Sequence, residues 1–146
     1  MLLLTACTAT PASPKAVTSD IQQTLNKQLA LWEKAAIDNY SYVFQRSCFC
    51  TPEYTKAVLV RVREGNVVDA RFKDSNKVLP KALERNRQTI KNLFDIIQNA
   101  INRKAASIKV KYDPKYAYPG SIAVDYDAQI ADEELYISAK DFKPDQ

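Results

Sequence analysis

Cys48 and Cys50, separated by Phe49, are the first residues in this sequence whose type and spacing could do chemistry. In a flat strand, residues i and i+2 lie about 6.6 Å apart, from a rise of about 3.3 Å each. That is near the upper limit for a disulfide, so a bond requires the backbone to bend, and Pro52 suits a corner there. Bonded, the pair is a corner staple. A strained small ring is also more easily reduced than an ordinary structural disulfide, which makes a redox switch the alternative. Two thiolates without other soft ligands make a poor zinc site. A second group is acidic: Asp125, Asp127, Asp132, Glu133 and Glu134. These carboxylates could contact a hard cation or a partner, or act as the acid and base of a glycosidase. They lack the Gly and alternating spacing of a Ca²⁺ loop, and a solvated hairpin tip is the plainer expectation. The third group is basic: Arg71, Lys73, Lys77, Lys81, Arg85 and Arg87, continued by Lys91, against only Asp74 and Glu84. Lying outside regular elements, it could meet an anionic surface. Equally, it could be a solvated loop.

What the chain lacks narrows the chemistry further. It has no histidine, which removes Ser-His-Asp and Cys-His catalysis, His-containing zinc sites and imidazole switching. Its two glycines, Gly65 and Gly120, argue against a Gly-rich phosphate loop. No cofactor, no metal and no catalytic constellation are therefore expected. The net charge of +4 is unevenly spread. Residues 1–112 carry 18 Lys/Arg against 9 Asp/Glu, and residues 113–146 carry 3 against 8. A chain so divided is not expected to track nucleic-acid phosphates, which calls for one contiguous basic face.

The elements that must position these groups follow from hydrophobic periodicity. Ser19-Asp20-Ile21-Gln22 has the form of a capping box. Ile21, Leu25, Leu29, Trp32 and Ala36 continue it as one apolar helical stripe, ended by Asp38-Asn39. Tyr40, Tyr42 and Phe44 alternate with Ser41, Val43 and Gln45, and Val58, Val60 and Val62 with Leu59, Arg61 and Arg63; Glu64-Gly65-Asn66 then turns into Val68, Ala70 and Phe72. Pro80 breaks any long helix in the polar residues 73–88. Ile90, Leu93, Phe94, Ile97 and Ile101 mark a second helix from about Thr89. Three more strands centre on Ile108-Val110-Tyr112, Ile122-Val124-Tyr126 and Leu135-Ile137-Ala139. The order is helix-strand-strand-strand, twice. This tandem pseudo-repeat predicts an α+β fold, an antiparallel sheet with two helices packed on one face. Residues 19–146 form that single domain, expected to be a monomer. Most of the tyrosines belong to its core or sheet faces, whereas Tyr116 and Tyr118 in a Pro-bounded loop are candidate exposed contacts.

At the start of the chain, Leu4-Thr5-Ala6-Cys7 resembles the lipobox of bacterial lipoproteins. That resemblance implies acylation of Cys7, which becomes the mature N-terminus. Residues 1–6 are too few for a cationic region plus an apolar stretch of roughly 7–15 residues, so they read as a truncated signal peptide. Residues 7–18, with Pro11 and Pro14 among small residues, read as the lipidated N-terminus and flexible tether. With Cys7 acylated, Cys48 and Cys50 are the two remaining thiols, and spare thiols in an oxidising compartment usually pair.

A second resemblance covers most of the domain. Trp32, Tyr40-Ser41-Tyr42 and Arg46-Ser47-Cys48-Phe49-Cys50 resemble the opening motif of an uncharacterised bacterial lipoprotein family, domain of unknown function 6174. The later residues Leu93-Phe94, Val110-Lys111-Tyr112-Asp113, Tyr118-Pro119, Ile122, Asp125-Tyr126-Asp127 and Ala131-Asp132-Glu133-Glu134 are similar to it in order. Ala117 departs from the pattern, which has Gly before Tyr-Pro. The resemblance implies an exported or membrane-anchored protein and no catalytic activity. The repeated plan is also similar to inhibitor and peptidase-associated envelope modules, by fold analogy alone. The expected function is thus a lipid-anchored, non-catalytic module, at the cell or outer membrane, binding an envelope protein, polymer or small ligand. A thiol-disulfide-active envelope protein using Cys48 and Cys50 is the alternative, and a hydrolase using the acidic run a weaker third.

Overall fold

The computed structural model describes residues 8–11 and 13–145. The first helix, α1 (Pro14–Ala35), starts before the expected capping box, which lies inside it. Pro14 accounts for this: in a first helical turn its missing N–H costs nothing and its fixed φ suits the helix. The Val17 amide donates to the Ser13 carbonyl at 3.2 Å. Residues 14–18, expected as tether, are therefore helical. Leu25 and Trp32 are buried, with Ile21 and Leu29 half-buried against the core. Ala36 does not extend the stripe, because it is exposed and turns left-handed (φ 50°) to end the helix.

Six strands follow, interrupted by one helix: β1 (Tyr40–Cys48), β2 (Val58–Arg63), β3 (Asn66–Phe72), α2 (Ile90–Asn102), β4 (Ser107–Tyr112), β5 (Pro119–Asp125) and β6 (Glu134–Pro144). They form one antiparallel sheet in the order β3-β2-β1-β6-β5-β4. The fold is α+β, with both helices on one face, as the alternation predicts. The repeat is one of element order. β1 meets β6 at the centre, and β4 runs opposite to β1, so the two copies are not related by a simple translation.

Two bulges reset which residues face the core. Between Arg61 and Val62 the register with β3 slips by one. Val67 therefore packs inward, and Val68, expected beside Ala70 and Phe72, is 51% exposed. In β6 the slip opposite Tyr42 places Asp141 in the left-handed region (φ 52°). One extra residue flips every following side chain across the sheet. Phe142 thus reaches the helix side, 5.6 Å from the Trp32 ring and 5.2 Å from that of Tyr40.

α2 opens on a capping box in which the Thr89 side chain accepts from the Asn92 amide and the Asn92 side chain accepts from the Thr89 amide. Its stripe of Ile90, Leu93, Phe94, Ile97 and Ile101 is buried, as the spacing predicts. Residues 73–89 are not a free loop. Leu79 and Leu83 enter the core, and buried Asn86 donates to the Tyr54 carbonyl at 3.0 Å. The same segment closes the outer edge of β3, where Phe72 and Leu79 exchange backbone hydrogen bonds of 2.9 Å with Lys77 and Ala70.

Candidate functional site

The expected lipidation site, Cys7, lies outside the described residues. Cys48 and Cys50 are bonded to each other, with Cα atoms 5.3 Å apart. This is shorter than a flat strand allows, and the chain bends where β1 ends, followed by a short 3-10 turn at Pro52–Thr55. Phe49 between them is 83% exposed, so the corner projects into solvent. Just inside it, Arg46 donates to the Arg85 carbonyl at 3.2 Å and lies 5.9 Å from the Phe44 ring. Burial, and then the neighbouring Arg85, hold its guanidinium below the usual arginine range.

The acidic residues do not converge. Asp125 accepts from the Asp127 amide at 3.1 Å and Asp127 from the Gln129 amide at 2.9 Å, so both carboxylates cap their own turn. Glu134 accepts from the Tyr136 hydroxyl, and Asp132 and Glu133 sit in the 3-10 turn Ala131–Glu133. Among the described residues, no three of His, Cys, Asp and Glu are placed to share a metal ion. The cation-site reading of Asp125, Asp127, Asp132, Glu133 and Glu134 therefore has no geometry behind it.

The basic stretch is likewise dispersed. Arg71 belongs to β3, not to a loop, and pairs with Asp69 at 2.9 Å. Lys73 reaches Asp141 at 3.5 Å and Arg87 reaches Glu84 at 3.8 Å. Lys77, Lys81 and Arg85 are exposed on the segment that covers β3 and one end of the core. Tyr116 and Tyr118 are not free contacts either. Tyr118 is buried and Tyr116 half-buried, and both pack their rings at a tilt against Phe142, at 4.8 and 5.0 Å.

A different surface is assembled by strand register. On the sheet face away from the helices, one cross-strand row runs Arg61, Ser41, Lys143, and the next runs Leu59, Val43, Lys140. A further row runs Gln45, Ser138, Ser121, Lys111, and the next runs Ser47, Tyr136, Ala123, Lys109. Arg61, Lys109, Lys111, Lys140 and Lys143 are exposed and form no ion pair among the described residues. Among the described residues, the carboxylates on or at the rim of this face are Asp69, Asp141 and Asp145, held by Arg71, Lys73 and Arg63, with Asp125 and Glu134 at one end. Leu59 and Tyr136, 43% and 48% exposed, lie among the cations. The face is an open, mixed apolar and cationic plane. The sequence carried a signal for it: the outward positions of the alternating strands are Arg61, Lys109, Lys111 and Lys140. Their union on one surface depended on the strand order and on the β6 bulge, which brings Lys143 to the same side.

Residues 24–144 match the model of a family of unknown function, DUF6174. The chain belongs to that family. The match includes Cys48 and Cys50 and begins after Cys7. No curated protein and no solved structure matches the chain. The motif residues that resemble DUF6174 fill packing and capping positions. Trp32 stands edge-on to Tyr40 at 5.6 Å, and the Tyr40 hydroxyl accepts the Ile90 amide at 2.8 Å. The Tyr42 hydroxyl donates to the Gln88 carbonyl. Ala117, where the resemblance leads one to expect Gly, is left-handed at φ 67°, a conformation that glycine adopts without penalty.

Proposed function

We propose that this chain is an exported envelope lipoprotein, anchored through Cys7, acting as a non-catalytic binding module. The surface it presents is the open face of the sheet, and its partner is anionic. The observation that carries this reading is the charge of that face: five cations without ion pairs among the described residues, on a plane whose carboxylates are paired or confined to one end. Near an anionic surface each lysine contributes about 1 kcal/mol, and interspersed Leu59 and Tyr136 add contact area. No helix of the described residues is long and apolar enough to cross a membrane, so membrane attachment in this reading falls to the lipid on Cys7. Vesicle co-sedimentation of unlipidated protein tests the surface. Binding to anionic vesicles that weakens with salt is expected, with none to neutral vesicles. Absent or salt-independent binding overturns the reading.

One observation favours a second, thiol-disulfide reading: the Cys48–Cys50 bond sits at a projecting corner beside exposed Phe49, where a reductant can reach it. Joint Cys48→Ser and Cys50→Ser substitution separates the roles. A ring of three residues constrains the unfolded chain by less than about 2 kcal/mol, so the variant is expected to fold. Loss of a thiol-exchange activity in that folded variant supports the redox reading. Wild-type protein that catalyses no exchange with a dithiol substrate dismisses it.

A further inference from the structure

The two edges of the sheet are treated differently. The edge at β3 is closed by the backbone of Lys77–Leu79, but among the described residues nothing outside β5 hydrogen-bonds to β4. A free edge exposes a row of N–H and C=O groups that a further strand can pair with. Along β4 lies a cleft of ≈ 570 Å³, walled by Ile21 and Thr24 of α1 and by half-buried Ile108 and Val110. The free edge is therefore flanked by an apolar wall on the helix side. On the open side it presents Lys109 and Lys111, exposed and without ion pairs among the described residues.

We propose that β4 receives a seventh strand, an extended segment of a partner protein in which apolar and acidic residues alternate. Side chains of an added strand point alternately to the two faces. Those turned toward α1 meet Ile21, Ile108 and Val110 and must be apolar, since Asp20 at the same wall repels acid there. Those turned to the open face meet Lys109 and Lys111 and are matched by carboxylates. Backbone bonds give such a complex its affinity and the alternate side chains its selectivity. A second copy of this chain fits worse. Antiparallel β4–β4 pairing would set the lysines of two copies against each other, and like charges across strands are destabilising. This inference concerns the β4 edge: it shares Lys109 and Lys111 with the open plane, but it requires neither Cys7 nor a lipid surface.

The test is fluorescence anisotropy of a labelled heptapeptide of alternating Val and Glu, titrated with the full chain. A Val-Lys peptide serves as the charge control. Two N-methylated versions of the Val-Glu peptide each block one set of alternate amides. Saturable binding of the Val-Glu peptide is expected, with roughly tenfold or weaker binding of the Val-Lys peptide. One methylated version should lose binding and the other keep it, because only one set of amides faces β4. The exposed double substitution Lys109→Glu and Lys111→Glu should reverse the peptide preference, with an unchanged circular dichroism spectrum. Absence of saturable binding, equal binding of both charge types, or indifference to both methylations overturns the proposal. Concentration-dependent self-association blocked by neither peptide overturns it as well, by assigning the edge to a second copy.

Discussion

Tyr40 shows how one side chain joins elements distant in sequence. Its ring packs against Trp32 and Phe142, while its hydroxyl accepts the Ile90 amide, which has no partner within the first turn of α2. Tyr40→Phe keeps the packing and orphans that amide in a buried place. A loss of about 1–3 kcal/mol is expected, read as a lower urea midpoint at unchanged slope. The same burial gives the molecule an alkaline limit. Burial raises Tyr40 from 10.0 to about 12, and burial followed by Asp113 raises Tyr118 to about 12. Tyr42, fully buried, is likewise raised well above 10.0 by burial and then by Tyr40. A folded-state value above the unfolded one means stability is intact below pH 10 and is lost as pH rises from 10 toward 12. Denaturation melts over that window should fall steeply, with tyrosine ionisation absorbance rising together with unfolding. Gradual ionisation of the native protein without unfolding would contradict it. That these tyrosines belong to the core was legible from their alternation. Tyr116 and Tyr118 were misread, because their Pro-bounded loop folds back onto Phe142, a contact set by the β6 bulge rather than by local spacing.

Element ends were the least legible part, for specific reasons. α1 begins at Pro14 because Ser13-Pro14 is itself a start signal, less complete in form than the capping-box pattern at Ser19. Its other end is held by Ala36 at φ 50°, exposed, where glycine would meet no penalty. Ala36→Gly is therefore expected to raise stability by about 1 kcal/mol, measured by thermal or denaturant unfolding. A neutral or destabilising result would mean the helix end is held by something other than backbone preference. Bulges carry no compositional mark either. Nothing in the residues around Asp141 announces a left-handed turn inside a strand, yet the position of Phe142 depends on it. Deleting Phe142 would put a charged residue, Asp141 or Lys143, in the place its ring fills against Trp32 and Tyr118. A loss of several kcal/mol is expected, visible as collapse of the cooperative melt.

At the scale of the molecule, the sheet order decides which charges act together. The sequence separates a cationic run at residues 71–87 from an acidic one at 125–134 and so suggests two oppositely charged loops. Folding engages much of that charge: Arg71, Lys73 and Arg87 have carboxylate partners, and Asp125 and Asp127 cap turns. Cations scattered over β2, β4 and β6 are instead gathered on the open face, which no linear reading could assemble without knowing that β1 and β6 are neighbours. The α+β class and the burial of the helical stripes needed only periodicity; this surface needed long-range pairing. The contrast gives a direct comparison of the two basic regions. Neutralising Lys140 and Lys143 to Gln removes two charges from the open plane. At about 1 kcal/mol each, partitioning to anionic vesicles should fall roughly thirtyfold. Neutralising Lys77 and Lys81, which lie on the covering segment beyond the β3 edge, should change it little, because a headgroup field decays within a Debye length. If the second pair matters more than the first, the contact surface is the covering segment, and the sheet face is left as solvated charge.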